Sequence, residues 1–378
     1  MKILVTEAEQ RNSLAIIRTL GKTGNAVIAA SSFRTAQGLY SRYCEHRVLC
    51  PHFYSDPDSF CRFLLQKATQ LNADVILPGH EFSVLAFSRF LQNASSPIPI
   101  VCPALQAVET TKDKYAMIRL AERLRVPTPK TLLIKESDDL IPGIREIGYP
   151  CIIKPRAGFG AIGFSILRSE SDRQRFLRKH AASSNLLFNF DHWILQEYIP
   201  GPVHDVGLLA DNGRCAALLT QKRLRMYPIS GGRCVLGETI DEPLLREYSR
   251  SLIRELHFHG PAQVEFKYDN RDHIFKLMEI NPRFWGSVEL GIRAGVDFPA
   301  LACRLALDGE IDPVDSYQVG LRMHWFWPYE LIALFQEAQP FHSWIRFFRQ
   351  ELKGEYDFSL RDPLPVVAQL LYFLSSRT

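Results

Sequence analysis

The chain of 378 residues reads as an α/β domain followed by an α+β region and a C-terminal helical extension. Three observations predict this. Strand and helix patterns alternate through the first hundred residues, which means a parallel sheet covered on both faces. The middle of the chain instead carries strands in consecutive pairs, the mark of antiparallel sheets. Beyond about residue 312, apolar and aromatic residues recur at helical spacing.

The elements follow in order. Ile3-Leu4-Val5 is a first strand, and a helical pattern runs through Ile17 and Leu20. Ala26–Ala30 is a second strand, Ser59–Leu71 a helix, Asp74–Leu77 a strand, Phe82–Leu91 a helix, and Ile98–Val101 closes the set. A helix from Lys112 to Leu124 must stop at Val126-Pro127-Thr128-Pro129, because proline cannot continue it. Cys151–Pro155, Leu195–Ile199, Val206–Leu209 and Ala216–Thr220 read as strands, and 241–256 as a helix. Gln263–Lys267 and Lys276–Asn281 flank the turn Asp269-Asn270-Arg271-Asp272, so they predict a hairpin.

Composition excludes several classes. The formal net charge of +4 is small for this length and makes no case for nucleic acid. The eight cysteines have no metal-ligand spacing and read as reduced thiols. The N-terminus turns polar after four apolar residues, which fits a strand and not a secretory signal. No run reaches the ~18–20 apolar residues that span a bilayer. A soluble, cytoplasmic protein is the expectation.

The most informative segment is Met278-Glu279-Ile280-Asn281-Pro282-Arg283. Side chains alternate along a strand, so Glu279 and Asn281 share a face. Two oxygen ligands on one face suit a hard cation such as Mg2+, and an arginine beyond them can clamp a phosphate. The hairpin brings Glu265 near Glu279. A solvated hairpin with polar residues on its wet face is the alternative.

Gly158, Gly160 and Gly163 form a G-x-G-x-x-G, but the chain after Gly163 reads as a strand (Phe164–Leu167) and not a helix. The dinucleotide fingerprint therefore fails its context. A strand, glycine loop and strand make a flap whose backbone can lie over phosphates, or a tight turn without a ligand. The first domain also lacks a glycine-rich turn: Thr6–Asn12 contains no glycine, so this domain reads as scaffold or substrate-side wall.

Asp113-Lys114, Ile153-Lys154-Pro155, the glycine flap, Gln196-Glu197-Tyr198-Ile199-Pro200-Gly201, Gly231-Gly232, Glu265 and Glu279-Ile280-Asn281-Pro282-Arg283 occur in that order. This order resembles the ATP-grasp superfamily, in its carbamoyl-phosphate-synthase-like, carboxylate–amine ligase branch. The resemblance covers roughly residues 1–310. It implies a pre-ATP-grasp α/β domain over 1–110 and an ATP-grasp domain over 111–311, with a small lobe to 194 and a large lobe from 195. Residues 312–378 follow as the helical extension.

The resemblance also implies roles. Lys114 and Lys154 would hold ATP phosphates, and Gly158, Gly160 and Gly163 would form the flap. Gln196, Glu197 and Ile199 would lie at the hinge where backbone groups read adenine. Glu265, Glu279 and Asn281 would hold Mg2+ (or Mn2+), and Arg283 would steady the transferred phosphoryl group. Arg223, with the loop Ser230-Gly231-Gly232-Arg233, is the candidate grip on a substrate carboxylate.

The implied reaction moves the γ-phosphoryl group of ATP to a carboxylate and lets an amine attack the acyl phosphate, giving an amide, ADP and phosphate. A carboxylase working through carboxyphosphate and a non-catalytic ATP-binding module are the alternatives. The partners expected are a small carboxylate and an amine, with no nucleic acid, and a homodimer is compatible. Phe341, Trp344, Phe347 and Phe348 with Arg346, Arg349 and Lys353 make a basic aromatic helix, and 365–374 is apolar. These segments are expected to pack on the ATP-grasp domain, with contact to a membrane surface as the other reading.

Overall fold

The computed structural model describes residues 1–52, 56–157, 163–181, 193–229, 231–337 and 340–375. The chain divides into two compact units. The first comprises Met1–Val108, Asp205–Gln263 and Asn281–Thr378; the second comprises Glu109–His204 and Val264–Ile280. Both are assembled from separated stretches of chain, which a division drawn along the sequence does not convey.

The first unit opens with β1 (Lys2–Val5), β2 (Ala26–Ser31), β3 (His46–Leu49) and β4 (Val75–Leu77), a parallel sheet in the order β3-β2-β1-β4. Ile3, Leu4 and Val5 are fully buried, as strands covered on both faces require. The strand expected at 98–101 is reduced to a single bridge between Ile76 and Ile100. Pro97 and Pro99 explain this, since neither can donate to a ladder. Strand β3 was not anticipated, because His46-Arg47 breaks the apolar pattern.

The second unit contains β5 (Thr131–Ile134), β6 (Cys151–Pro155), β7 (Ser165–Leu167) and β8 (Trp193–Glu197), an antiparallel sheet in the order β5-β8-β6-β7. Its core gathers Ile134, Leu140, Ile153, Phe176, Trp193 and Leu195. The register sets Gln196 opposite both Thr131 and Ile152, so this side chain lies mid-sheet between neighbours.

Returning to the first unit, β9 (Val203–Asp211), β10 (Arg214–Tyr227) and β11 (Arg233–Ile240) form consecutive neighbours. Then β12 (Gly260–Asp269) and β13 (Ile274–Asn281) pair as the expected hairpin, most of which belongs to the second unit. Finally β14 (Arg322–His324) pairs with β11, and β15 (Glu355–Tyr356) with β14. Trp285 is buried against β9 so closely that a Cβ at Gly207 would meet its ring at 2.0 Å, which requires glycine there.

The C-terminal extension belongs to the first unit and packs more widely than expected. Arg225 pairs with Glu330 at 2.7 Å and Glu337 at 2.8 Å, and the His324 imidazole meets Glu330 at 3.0 Å. Asp362, 1 % exposed, accepts from Arg18 at 2.9 Å, from the Ser41 hydroxyl at 2.8 Å and from the Arg42 amide at 2.8 Å. The tail is therefore fastened to the N-terminal α/β domain as well as to the strands that follow it. Among the described residues, no helix is long and apolar enough to cross a membrane. All eight cysteines are free thiols.

Candidate functional site

In the second unit, Asp113 caps the helix Lys114–Arg123, accepting from the Tyr115 and Ala116 amides at 3.1 and 3.0 Å. The same carboxylate takes a forked ion pair from Arg156, with contacts at 2.8, 2.9 and 2.5 Å. The Lys114 amide donates to the Arg156 carbonyl at 2.9 Å. The start of the helix carrying Lys114 is thus tied to the chain just beyond β6, the strand that carries Lys154.

Lys154 donates to Gln196 Oε1 at 2.8 Å, and Gln196 Nε2 donates to the Thr131 hydroxyl at 2.9 Å. Gln196 is fully buried, so its amide is oriented by both contacts. Burial pushes the Lys154 ammonium down to about 8, and the nearby Lys114 pushes the same way. Glu279 and Glu265 oppose that shift, and Lys267 adds to it. Lys114, Glu265 and Glu279 therefore lie within electrostatic reach of Lys154. Lys267 joins them and was missed. It donates to the Ile199 carbonyl at 2.8 Å and lies over the Tyr198 ring at 5.3 Å.

Glu197 has a partner set of its own. Arg271 reaches it at 2.5 Å, and its carboxylate accepts from the Lys130 amide at 3.2 Å. Arg271 and Lys276 also hold Asp269, at 2.6 and 2.7 Å. This network ties the β12–β13 turn to the end of β8. Gly163 adopts φ +80°, a conformation suited to glycine. Gly158, Gly160 and Ser230 lie outside the described residues.

In the first unit, Arg283 follows the end of β13. It donates to the Phe284 carbonyl at 3.1 Å, approaches the Asn281 side-chain oxygen at 3.5 Å and meets Glu81 at 3.7 Å. Burial, with Arg283 adding to it, drives the His80 imidazole down to about 3. Arg223 makes a forked pair with Asp205 at 2.9 and 2.6 Å and donates to the Gly232 carbonyl at 3.1 Å. Asp205 is fully buried and also accepts from Gln221 at 2.9 Å. The Arg223 charge is thus already met inside the protein, and a ligand carboxylate would have to share it.

A second cluster escaped sequence reading. Glu7, at the end of β1, has φ +46° and is 6 % exposed. One of its oxygens accepts from Thr6 and from Ser83 at 2.8 Å, while Oε1 is enclosed without a partner among the described residues. Burial, reinforced by Glu9, pushes this carboxyl up to about 8. The cluster sits where the order of the parallel sheet reverses, at the carboxyl ends of β1 and β4, the usual ligand crevice of such sheets. The only hint in the sequence was a strand-end turn without the glycine that a positive φ favours.

The family described as ATP-grasp in the biosynthetic pathway with Ter operon matches residues 189–327. A biotin carboxylase from Campylobacter jejuni superposes with TM-score 0.68 at 20 % identity, covering 85 % of this chain and 74 % of that one. The N5-carboxyaminoimidazole synthetase of Staphylococcus aureus gives TM-score 0.66 at 18 % identity, covering 85 % and 80 %. The chain has an ATP-grasp fold.

Curated relatives of this chain include the mitochondrial propionyl-CoA carboxylase alpha chains of Mus musculus and Homo sapiens. They are 22 % identical over 306 residues and 23 % identical over 321 residues, respectively. These alignments take in 78 % and 81 % of this chain but only 40 % and 42 % of the relatives, so the chain spans well under half of their length.

Proposed function

We propose that the chain is an ATP-dependent ligase that activates a carboxylate as an acyl phosphate and joins it to an amine, releasing ADP and phosphate. The observation that carries this reading is the shared neighbourhood of Lys154, Lys114, Glu265 and Glu279. Two lysines suit the charge of a triphosphate, and two carboxylates on paired strands suit the cation that accompanies it.

The donor set fits Mg2+. Among the described residues, no group of three His, Cys, Asp or Glu side chains could hold a metal. Mg2+ is commonly held by one or two carboxylates together with substrate phosphates. Glu265 and Glu279, with Asn281 beyond, match that need, and the ion would offset charge on the transferred group. Lys154 would hold a phosphate oxygen once its proton is retained. The role of Arg283 in steadying the transferred phosphoryl group rests on the resemblance alone.

Carboxylation through carboxyphosphate is the second reading. It is supported by the similar proteins, several of which are carboxylases. Hydroxylamine separates the two. With ATP, Mg2+ and a panel of amino acids and small carboxylates, an acyl-phosphate ligase yields a hydroxamate together with ADP. A requirement for bicarbonate, with no hydroxamate from any acid, selects the carboxylase. ATP binding without any ADP formation selects a silent module.

A further inference from the structure

A cavity of about 160 Å3 lies wholly within the first unit. Its walls come from the start of the helix Arg11–Lys22, from the C-terminal extension, and from Gln37, Arg233 and Glu289. Arg11, Arg233, Trp327, Tyr329 and Asp357 line it. The volume is below the ~300–1,000 Å3 of drug-sized sites, so a ligand smaller than a nucleotide is the fit.

Three cations line this space, and one of them, Arg18, is already taken by Asp362 at 2.9 Å. Arg11 donates to a neutral partner, the Cys234 carbonyl, at 2.7 Å, and its guanidinium stacks on Trp325 at 4.7 Å. Arg233 stacks on Tyr329 at 4.5 Å. The stacking fixes both planar groups while leaving N–H edges available to an anion. Burial, reinforced by Arg233, pulls the Arg11 guanidinium down to about 10, a shift that a bound anion would reverse.

Three acids border the same space, and two of them already have donors. Glu9 accepts from the Ser31 hydroxyl at 2.6 Å, and Glu289 from Arg293 at 3.1 Å. Asp357 differs: its carboxyl takes a hydrogen bond from the Phe326 backbone, but its Oδ1 is enclosed and accepts none among the described residues. An enclosed carboxylate oxygen without a donor is costly, and a ligand N–H would relieve it. Burial, with Glu289 adding to it, holds this carboxyl up at about 7 even though Arg11 and Arg18 pull it down.

We propose that this cavity binds a small zwitterion of the α-amino-acid type. Its carboxylate lies on Arg11 and Arg233, its ammonium on Asp357, and its side chain against Trp327 and Tyr329. The C-terminal extension thereby acts as one wall of a ligand site. As a substrate assignment this rests on the ligase reading, but the binding claim stands without it and is tested without nucleotide.

The experiment is calorimetry and thermal shift on the full chain with the twenty free α-amino acids, each beside its N-acetyl and C-amide counterparts. At least one free amino acid should bind and raise Tm, while both blocked forms bind about tenfold more weakly or worse, as loss of a charge-assisted contact implies. Arg233→Gln, at an exposed position, and Asp357→Asn should each weaken that binding by a similar factor, with circular dichroism confirming the fold. The proposal is overturned if no free amino acid binds, or if blocked forms or the two variants bind as well as the originals. ADP formation is assayed separately, so binding without turnover defeats the ligase reading alone.

Discussion

The Lys154 ammonium donates to the buried Gln196 side chain at 2.8 Å, across neighbouring strands of the second unit. A neutral amide oxygen orients the lysine without cancelling its charge. That leaves Lys154 able to meet an anion, unlike Arg223, whose charge is taken by Asp205.

Lys154→Met should therefore weaken ATP binding by about 1.5–3 kcal/mol, roughly ten- to a hundredfold, with the fold intact. Isothermal calorimetry checks it, and unchanged affinity removes Lys154 from the phosphate ligands.

The same lysine gives a pH dependence. Its ammonium is lowered to about 8 by burial and Lys114, so the free protein loses this charge as pH rises through about 8. ATP affinity should be steady below that value and fall above it, and the fall should be absent in Lys154→Met. Calorimetry at several pH values measures this; a parallel fall in wild type and variant would assign it to another group.

Glu279→Gln keeps shape but removes charge from the proposed cation site. ATP turnover should be abolished while the circular dichroism spectrum and Tm stay near wild type. Wild-type turnover in this variant would remove Glu279 from the metal ligands.

Glu7 predicts an effect on stability. Its carboxyl is raised to about 8, chiefly by burial, so the folded state holds a proton that the unfolded chain releases near 4.5. Stability should decline as pH rises from about 5 through 8, because folding retains that proton. Denaturant titrations of Glu7→Gln should show a shallower decline, and equal slopes would contradict the assignment.

Much of the fold and part of the site were legible in the sequence, for identifiable reasons. Strand alternation placed Glu265 and Glu279 on a hairpin, and the lysine at the end of an apolar strand marked Lys154. Pairings between distant segments were not legible. Arg18 meets Asp362 and Arg223 meets Asp205 because sheets and tail fold back, and no local pattern records such partners. Nothing local in the sequence sets Lys267 apart; its contact with the Ile199 carbonyl spans distant segments. The β4-side strand at 98–101 failed because prolines carry apolar character without a ladder donor.

The most direct test of the central claim is 31P NMR of ATP consumption by the full chain with Mg2+ and a panel of carboxylates and amines. The account predicts ADP and inorganic phosphate, formed only when a matching acid is present. AMP and pyrophosphate, or no ATP consumption with any pair, would contradict it.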